Sequence, residues 1–181
     1  MPWTGPPPPP DWAPFLAVAP GLSCPGPRKL GGPHGLGDRM RIAAFAELQA
    51  RQAFLWGAAT FDEAPDALRQ AWRDLAAAED KHLRWLLERM AALGIPVQDR
   101  PVSPHLFAGL TDCRTAHEFA WYMAKAEDRG RIAGEQFARK LATSDPESAR
   151  IFGQIAAEEQ EHIDLALRFF PESDRTRTVA P

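Results

Sequence analysis

"LAAAEDKHL" at residues 75–83 and "IAAEEQEHI" at residues 155–163 are one phrase written twice. Each sets Glu-x-x-His in an apolar frame, Glu79 with His82 and Glu159 with His162. A spacing of three puts the two side chains one turn apart on a single helix face. The correspondence extends upstream. Shifting the chain by 80 residues also lays "AELQAR" (46–51) on "AEDRGR" (126–131), so that Glu47 falls on Glu127. The chain reads as a helical hairpin followed by a diverged copy of itself.

The heights agree within each copy. Glu47 and Glu79 are equidistant from residue 63, in the turn "FDEAP"; Glu127 and Glu159 are equidistant from residue 143, at the turn "TSDPES". In an antiparallel hairpin such residues face each other, here about 24 Å from the turn at 1.5 Å per residue. Apolar residues recur at three- and four-residue steps through Met40, Ala43, Ala44, Ala50, Phe54, Ala58 and Phe61, with Asp38 as the expected N-cap. The second helix is expected to run to Leu93, with Gly94 closing it. The third spans Asp112 to Ala142 and the fourth ends near Phe170. No strand pattern is present. The connections run short, long, short. The long one, "GIPVQDRPVSPHLFAGLT" (94–111), can travel the length of a bundle at about 3.3 Å per residue. The expected fold is all-α, a four-helix bundle with one long crossover between helices 2 and 3.

Residues 1–35 hold 11 of the 18 prolines and read as an extended arm, with Trp3, Trp12, Phe15 and Leu16 available for burial. The expected organisation is a Pro-rich arm at 1–35, the bundle at 36–172 and a polar tail at 173–181. A net charge of −3 and a pI near 6.0 disfavour a general nucleic-acid binder, although a specific contact is left open. Cys24 and Cys113 match no metal or redox spacing. No apolar run reaches membrane-spanning length, and the N-terminus lacks a basic leader, so a cytoplasmic protein with no membrane partner is expected.

The glutamates interrupt apolar stripes. Trp72, Leu75, Glu79, His82 and Leu86 share one face, as do Phe152, Ile155, Glu159, His162 and Ala166. Buried acids are costly unless paired or metal-bound. Four carboxylates and two imidazoles leave negative charge that a plain salt-bridge network does not neutralise. Glu47, Glu79, His82, Glu127, Glu159 and His162 are therefore the candidate metal ligands. An oxygen and imidazole donor set suits iron, manganese or zinc.

One Glu from each of two helices and Glu-x-x-His from each of the other two is the donor pattern of ferritin-like di-iron and di-manganese bundles. Over residues 36–170 the chain resembles that superfamily. "KLGGPHGLGDRMRIAAFAELQA", "FDEAPDALRQAW" and "EDKHLRWLLERMAALGIPV" are similar to a bacterial ferritin-like family of unassigned function, related to tRNA hydroxylases that oxidise a prenylated adenosine. The resemblance implies a ferritin-like bundle holding two Fe ions, with Mn or mixed Mn/Fe as the alternative. It implies oxygen activation for oxidising or hydroxylating an organic substrate, either a small molecule or a modified nucleoside, with an outside electron donor. A ferroxidase-like, storage or peroxide-removing role is the alternative. A monomer or homodimer is expected. Members often carry an acid just before each ligating Glu. Glu158 keeps that place, as the expected acceptor for His82, whereas Ala78 occupies the other.

Other residues read as ordinary. Tyr122 is expected to pack, and Arg51 and Arg131 to lie at the surface. His34, His105 and His117 read as plain polar residues. Asp128 and Glu135 read as solvated, a place behind the ligands being left open for Asp128.

Overall fold

The computed structural model describes residues 7–19, 21–32 and 34–171; Trp3 and the tail at 173–181 lie outside them. The described residues form α1 (Gly35–Thr60), α2 (Asp66–Ala92), α3 (His105–Ala108), a 3-10 turn (Gly109–Asp112), α4 (Ala116–Leu141) and α5 (Pro146–Phe169). Their only β pairing is an isolated bridge between Ala17 and Val102. The chain divides into two compact units, each taken here over its described residues. One is Met1–Asp62 with Arg69–Asp112, and the other is Glu63–Leu68 with Cys113–Pro181.

Among the described residues there are five α-helices rather than four. The connection read as extended contains α3, whose Phe107 is buried, as is Leu110 in the 3-10 turn that follows. The Phe107 N–H donates to the Gln49 side chain at 3.1 Å. Four residues are too few to show a 3.6-residue period, so the sequence pattern hides this element. The next helix starts at Ala116, not Asp112. The Thr115 hydroxyl accepts from the Glu118 N–H at 3.2 Å and the Glu63 carboxylate accepts from the Ala116 N–H at 2.8 Å. These groups satisfy the free donors of the first turn and fix where the helix begins.

Within the first unit, α1 and α2 run antiparallel. Phe61 meets Trp72 with ring centroids 6.4 Å apart, and Arg51 pairs with Asp80 at 3.3 Å. Rising positions on one helix meet falling positions on the other, as a hairpin requires. α2 ends in a Schellman motif. Gly94 adopts φ +66°, its N–H donates to the Ala91 carbonyl at 3.0 Å, and the Ile95 N–H donates to Met90 at 2.9 Å.

Asp38 is not the N-cap of α1. That place belongs to His34, and Asp38 sits buried in the first turn. It accepts from the Arg28 backbone N–H (2.9 Å), Arg28 Nε (2.8 Å) and Arg41 Nη1 (3.1 Å). Arg41 is buried too, and donates to the carbonyls of Val97 and Pro96, each at 2.8 Å. A carboxylate near a helix N-terminus gains from the dipole without capping it. The two guanidiniums hold Asp38 well below the usual carboxylate range, chiefly through the Arg28 hydrogen bonds. The cluster ties α1 to residues 28 and 96–99.

Between residues 12 and 28, Trp12, Phe15, Leu16, Val18, Cys24 and Arg28 contact α1 or the connection after α2. Trp12 packs edge-on against both Phe45 and Phe107, with centroids 5.2 Å apart in each case. Phe15 is buried on Phe45. The Val18 N–H donates to Val102 at 2.9 Å, and the Val102 N–H donates to Leu16 at 2.8 Å. Covering this second face explains why α1 buries Phe45, Leu48 and Gln49 as well as Met40, Ala44 and Phe54.

In the second unit, α4 and α5 are also antiparallel. Phe137 meets Phe152 at 5.3 Å, while His117 meets Phe170 at 5.1 Å near the other end. Gly134 lets the helices close up, since a Cβ there would lie 3.2 Å from both the Ala156 Cβ and the Phe152 carbonyl oxygen. Asp145 caps α5 by accepting from the Ser148 N–H at 3.1 Å, with Pro146 in the first turn.

Candidate metal centre

The antiparallel α1–α2 hairpin brings Glu47 beside Glu79 and His82. Glu79 and His82 have no exposed surface, and the Glu47 side chain is 12% exposed. His82 Nδ1 lies 3.7 Å from Glu47 Oε2 and 3.6 Å from Glu79 Oε2. The α4–α5 hairpin repeats the arrangement. His162 Nδ1 lies 3.9 Å from Glu127 Oε2 and 3.3 Å from Glu159 Oε2, with all three residues buried. Within each trio, every residue offers a ligand atom within 4.8 Å of the others.

These distances carry chemical information. A charge-assisted N–H to carboxylate bond spans about 2.7–2.9 Å, so these Nδ1 to carboxylate separations are longer than such a bond. Two donor atoms each about 2.1 Å from one cation stand about 3.0–4.2 Å apart, depending on the angle between them. All four separations fall in that range. The charge fits as well, because two carboxylates and a neutral imidazole balance one divalent ion. Without a cation, such a pair of buried carboxylates is strongly unfavourable.

The neighbours sort as follows. The Trp85 ring lies 5.6 Å from that of His82, with the Lys81 ammonium 5.0 Å from its centroid. The sequence reading passed over both. An aromatic three residues after a ligand lies one turn along the same helix face, a spacing that ordinary helix packing also produces. Arg131 binds Asp128 at 2.8 Å and Glu135 at 2.7 Å in a half-exposed network, so Asp128 is engaged in a pair at the surface. Arg51 is likewise paired with Asp80, and Tyr122 and Glu158 are half-buried. His34 caps α1, His105 opens α3 and His117 packs on Phe170, each apart from the trio of its own unit. No helix among the described residues is long and apolar enough to cross a membrane.

The described residues form an all-helical fold with buried carboxylate and histidine groups that could hold metal ions, and a solved structure shares that fold. The dodecameric thioferritin of Bacteroides fragilis, a bacterioferritin-related protein, superposes with a TM-score of 0.64 at 21% identity, covering 78% of this chain and 88% of its own. The chain belongs to the family described as "Protein of unknown function (DUF455)", whose model matches residues 4–181. No curated protein matches the chain.

Proposed function

We propose that Glu47, Glu79, His82, Glu127, Glu159 and His162 together hold two iron ions, and that the protein activates dioxygen to oxidise or hydroxylate an organic substrate. The observation that carries the reading is the pair of trios, each with the spacing and charge for one divalent ion. The 80-residue repeat, with matching heights above matching turns, supports reading the two trios as equivalent halves of the ferritin-like donor pattern. Bound iron would supply the electrons that dioxygen accepts. The chain's own residues set the charge, keep the ions apart from bulk water and leave each imidazole able to bind through Nδ1. Manganese, alone or mixed with iron, suits the same donors. A modified nucleoside as substrate rests on the sequence resemblance alone.

A second reading, ferroxidase-like handling of iron or removal of peroxide, is favoured by the similarity to a thioferritin. That protein is a dodecamer, which sits poorly with a monomer or homodimer here. Mass in solution separates the readings. A 12-mer that takes up iron well beyond two per chain supports storage, whereas a monomer or dimer that stops at two supports an oxidase.

Anaerobic loading with Fe(II) is expected to end at two ions per chain, roughly 3.5–4 Å apart by X-ray absorption. A ratio near zero, or one tightly held zinc, would overturn the proposal.

The sequence resemblance gives Glu158 the part of acceptor for the outer N–H of His82. Glu158 is half-buried on α5, one residue before a ligand. Such acceptors orient the ring, and losing one costs about ten- to a hundredfold in metal affinity. Glu158→Ala is expected to weaken iron binding by that factor while the circular-dichroism melt stays unchanged. Unaltered iron affinity removes the role.

A further inference from the structure

We propose that Trp85 is the one-electron donor to a metal bound at Glu47, Glu79 and His82, and that Lys81 restrains it. The proposal rests on the metal reading above. The His82 ring stands beside an aromatic, with the indole centroid 5.6 Å away and the planes tilted by 41°. No intervening side chain is needed between ligand and donor. Indole is among the most easily oxidised side chains. Trp85 is half-buried and keeps some exposed surface, through which a proton lost from its ring can pass to water. His82 has no exposed surface, so Trp85 connects a wholly enclosed ligand to the solvent side of α2.

The Lys81 ammonium sharpens the assignment. It lies 5.0 Å from the centroid of the indole. A cation there stabilises the neutral ring and opposes a positive charge on it. Trp85 therefore yields its electron only to a strong oxidant, and only as its proton leaves. That suits a guard which discharges a surplus oxidising equivalent rather than a routine conductor.

The occasion for such discharge is peroxide meeting a single ferrous ion. Hydrogen peroxide needs two electrons and two protons to become two waters. One ferrous ion gives one electron and becomes ferric. The neutral indole gives the second electron and one of the protons, leaving a neutral indolyl radical, and solvent gives the other proton. Without the second donor, the peroxide bond breaks to release hydroxyl radical. A cellular thiol or ascorbate-class reductant later restores Trp85.

The test loads the full-length protein anaerobically with one Fe(II) per chain, confirms the load by elemental analysis, and mixes it with hydrogen peroxide. Freeze-quench electron paramagnetic resonance reads the radical, and peptide mass spectrometry maps tryptophan oxidation. An indolyl radical and oxidation centred on Trp85 are expected. Both should vanish in Trp85→Phe at unchanged iron content, while spin-trapped hydroxyl radical rises. Lys81→Met should raise the indolyl yield about two- to fivefold, the equivalent of losing one cation–π contact. An undiminished radical in iron-loaded Trp85→Phe, or oxidation spread equally over Trp56, Trp72 and Trp121, overturns the proposal alone. Failure to retain iron overturns the metal reading, and this inference with it.

Discussion

Glu127→Ala is expected to reduce the metal content of reconstituted protein from two ions per chain to one, with no loss of stability in the metal-free chain. Glu127 is 6% exposed and faces His162 across the α4–α5 pair. Removing it leaves Glu159 and His162 alone in their trio, too few donors for tight binding and one charge short of balance. The metal-free protein gains by the same change, because a buried carboxylate next to another is unfavourable until a cation arrives. Melting of the two proteins after exhaustive chelation should give equal or higher Tm for the variant. If metal-free Glu127→Ala unfolds instead, the glutamate is a structural residue and the donor assignment is wrong.

Asp38→Ala should do the reverse, leaving metal content unchanged and destabilising the fold. Asp38 is 1% exposed and Arg41 barely more, so deletion takes the nearest carboxylate from a buried guanidinium and leaves it the Val97 and Pro96 carbonyls and the more distant Asp99. Breaking a buried pair costs about 3–5 kcal/mol. Arg28 and Asp99 are each over a third exposed and can turn to water, which places the loss near the low end, about 3 kcal/mol. For a chain of this size that lowers Tm by about 6–12 °C. The pH dependence has a definite sign. The folded protein holds Asp38 below its ordinary pKa of about 3.9. Its contribution is thus complete above that value and is lost as pH falls toward the lower, folded value. Wild type should lose stability more steeply than Asp38→Ala below about pH 4, the two curves converging in acid. Parallel curves would mean that the cluster does not carry the charge pairing described.

The burial of these acids and histidines was legible because helices otherwise keep such residue types out of their cores. Glu79 and His82 stand out against Trp72 and Leu86 without any structure, and the copy at Glu159 and His162 repeats the contrast. The hairpin registers were legible for a related reason, since helical rise is constant and the turns are marked by proline. Asp38 was misread because an acid just before an apolar period has the signature of a cap. Only the arrival of Arg28 from another part of the chain shows that its carboxylate is spoken for. The short α3 escaped because its stability comes from burying Phe107 and from Gln49, not from its own period. Trp85 and Lys81 gave no signal that separates a redox neighbour from ordinary helix surface.

The strap of residues 12–28 has a consequence for biosynthesis. Its backbone partners are late in the chain: Cys24 donates to the carbonyl of Pro101, 77 positions downstream, and Val18 to that of Val102. At about 5–20 residues per second, some 4–15 s pass between the emergence of the one and of the other. Through that interval Trp12 and Phe15 have Phe45 of α1 to meet but lack the rest of their seat, because Phe107 of α3 and the Val102 backbone are not yet made. The segment synthesised first among these is thus one of the last to be seated, and its docking seals a face of α1 that the first two helices alone leave open to solvent.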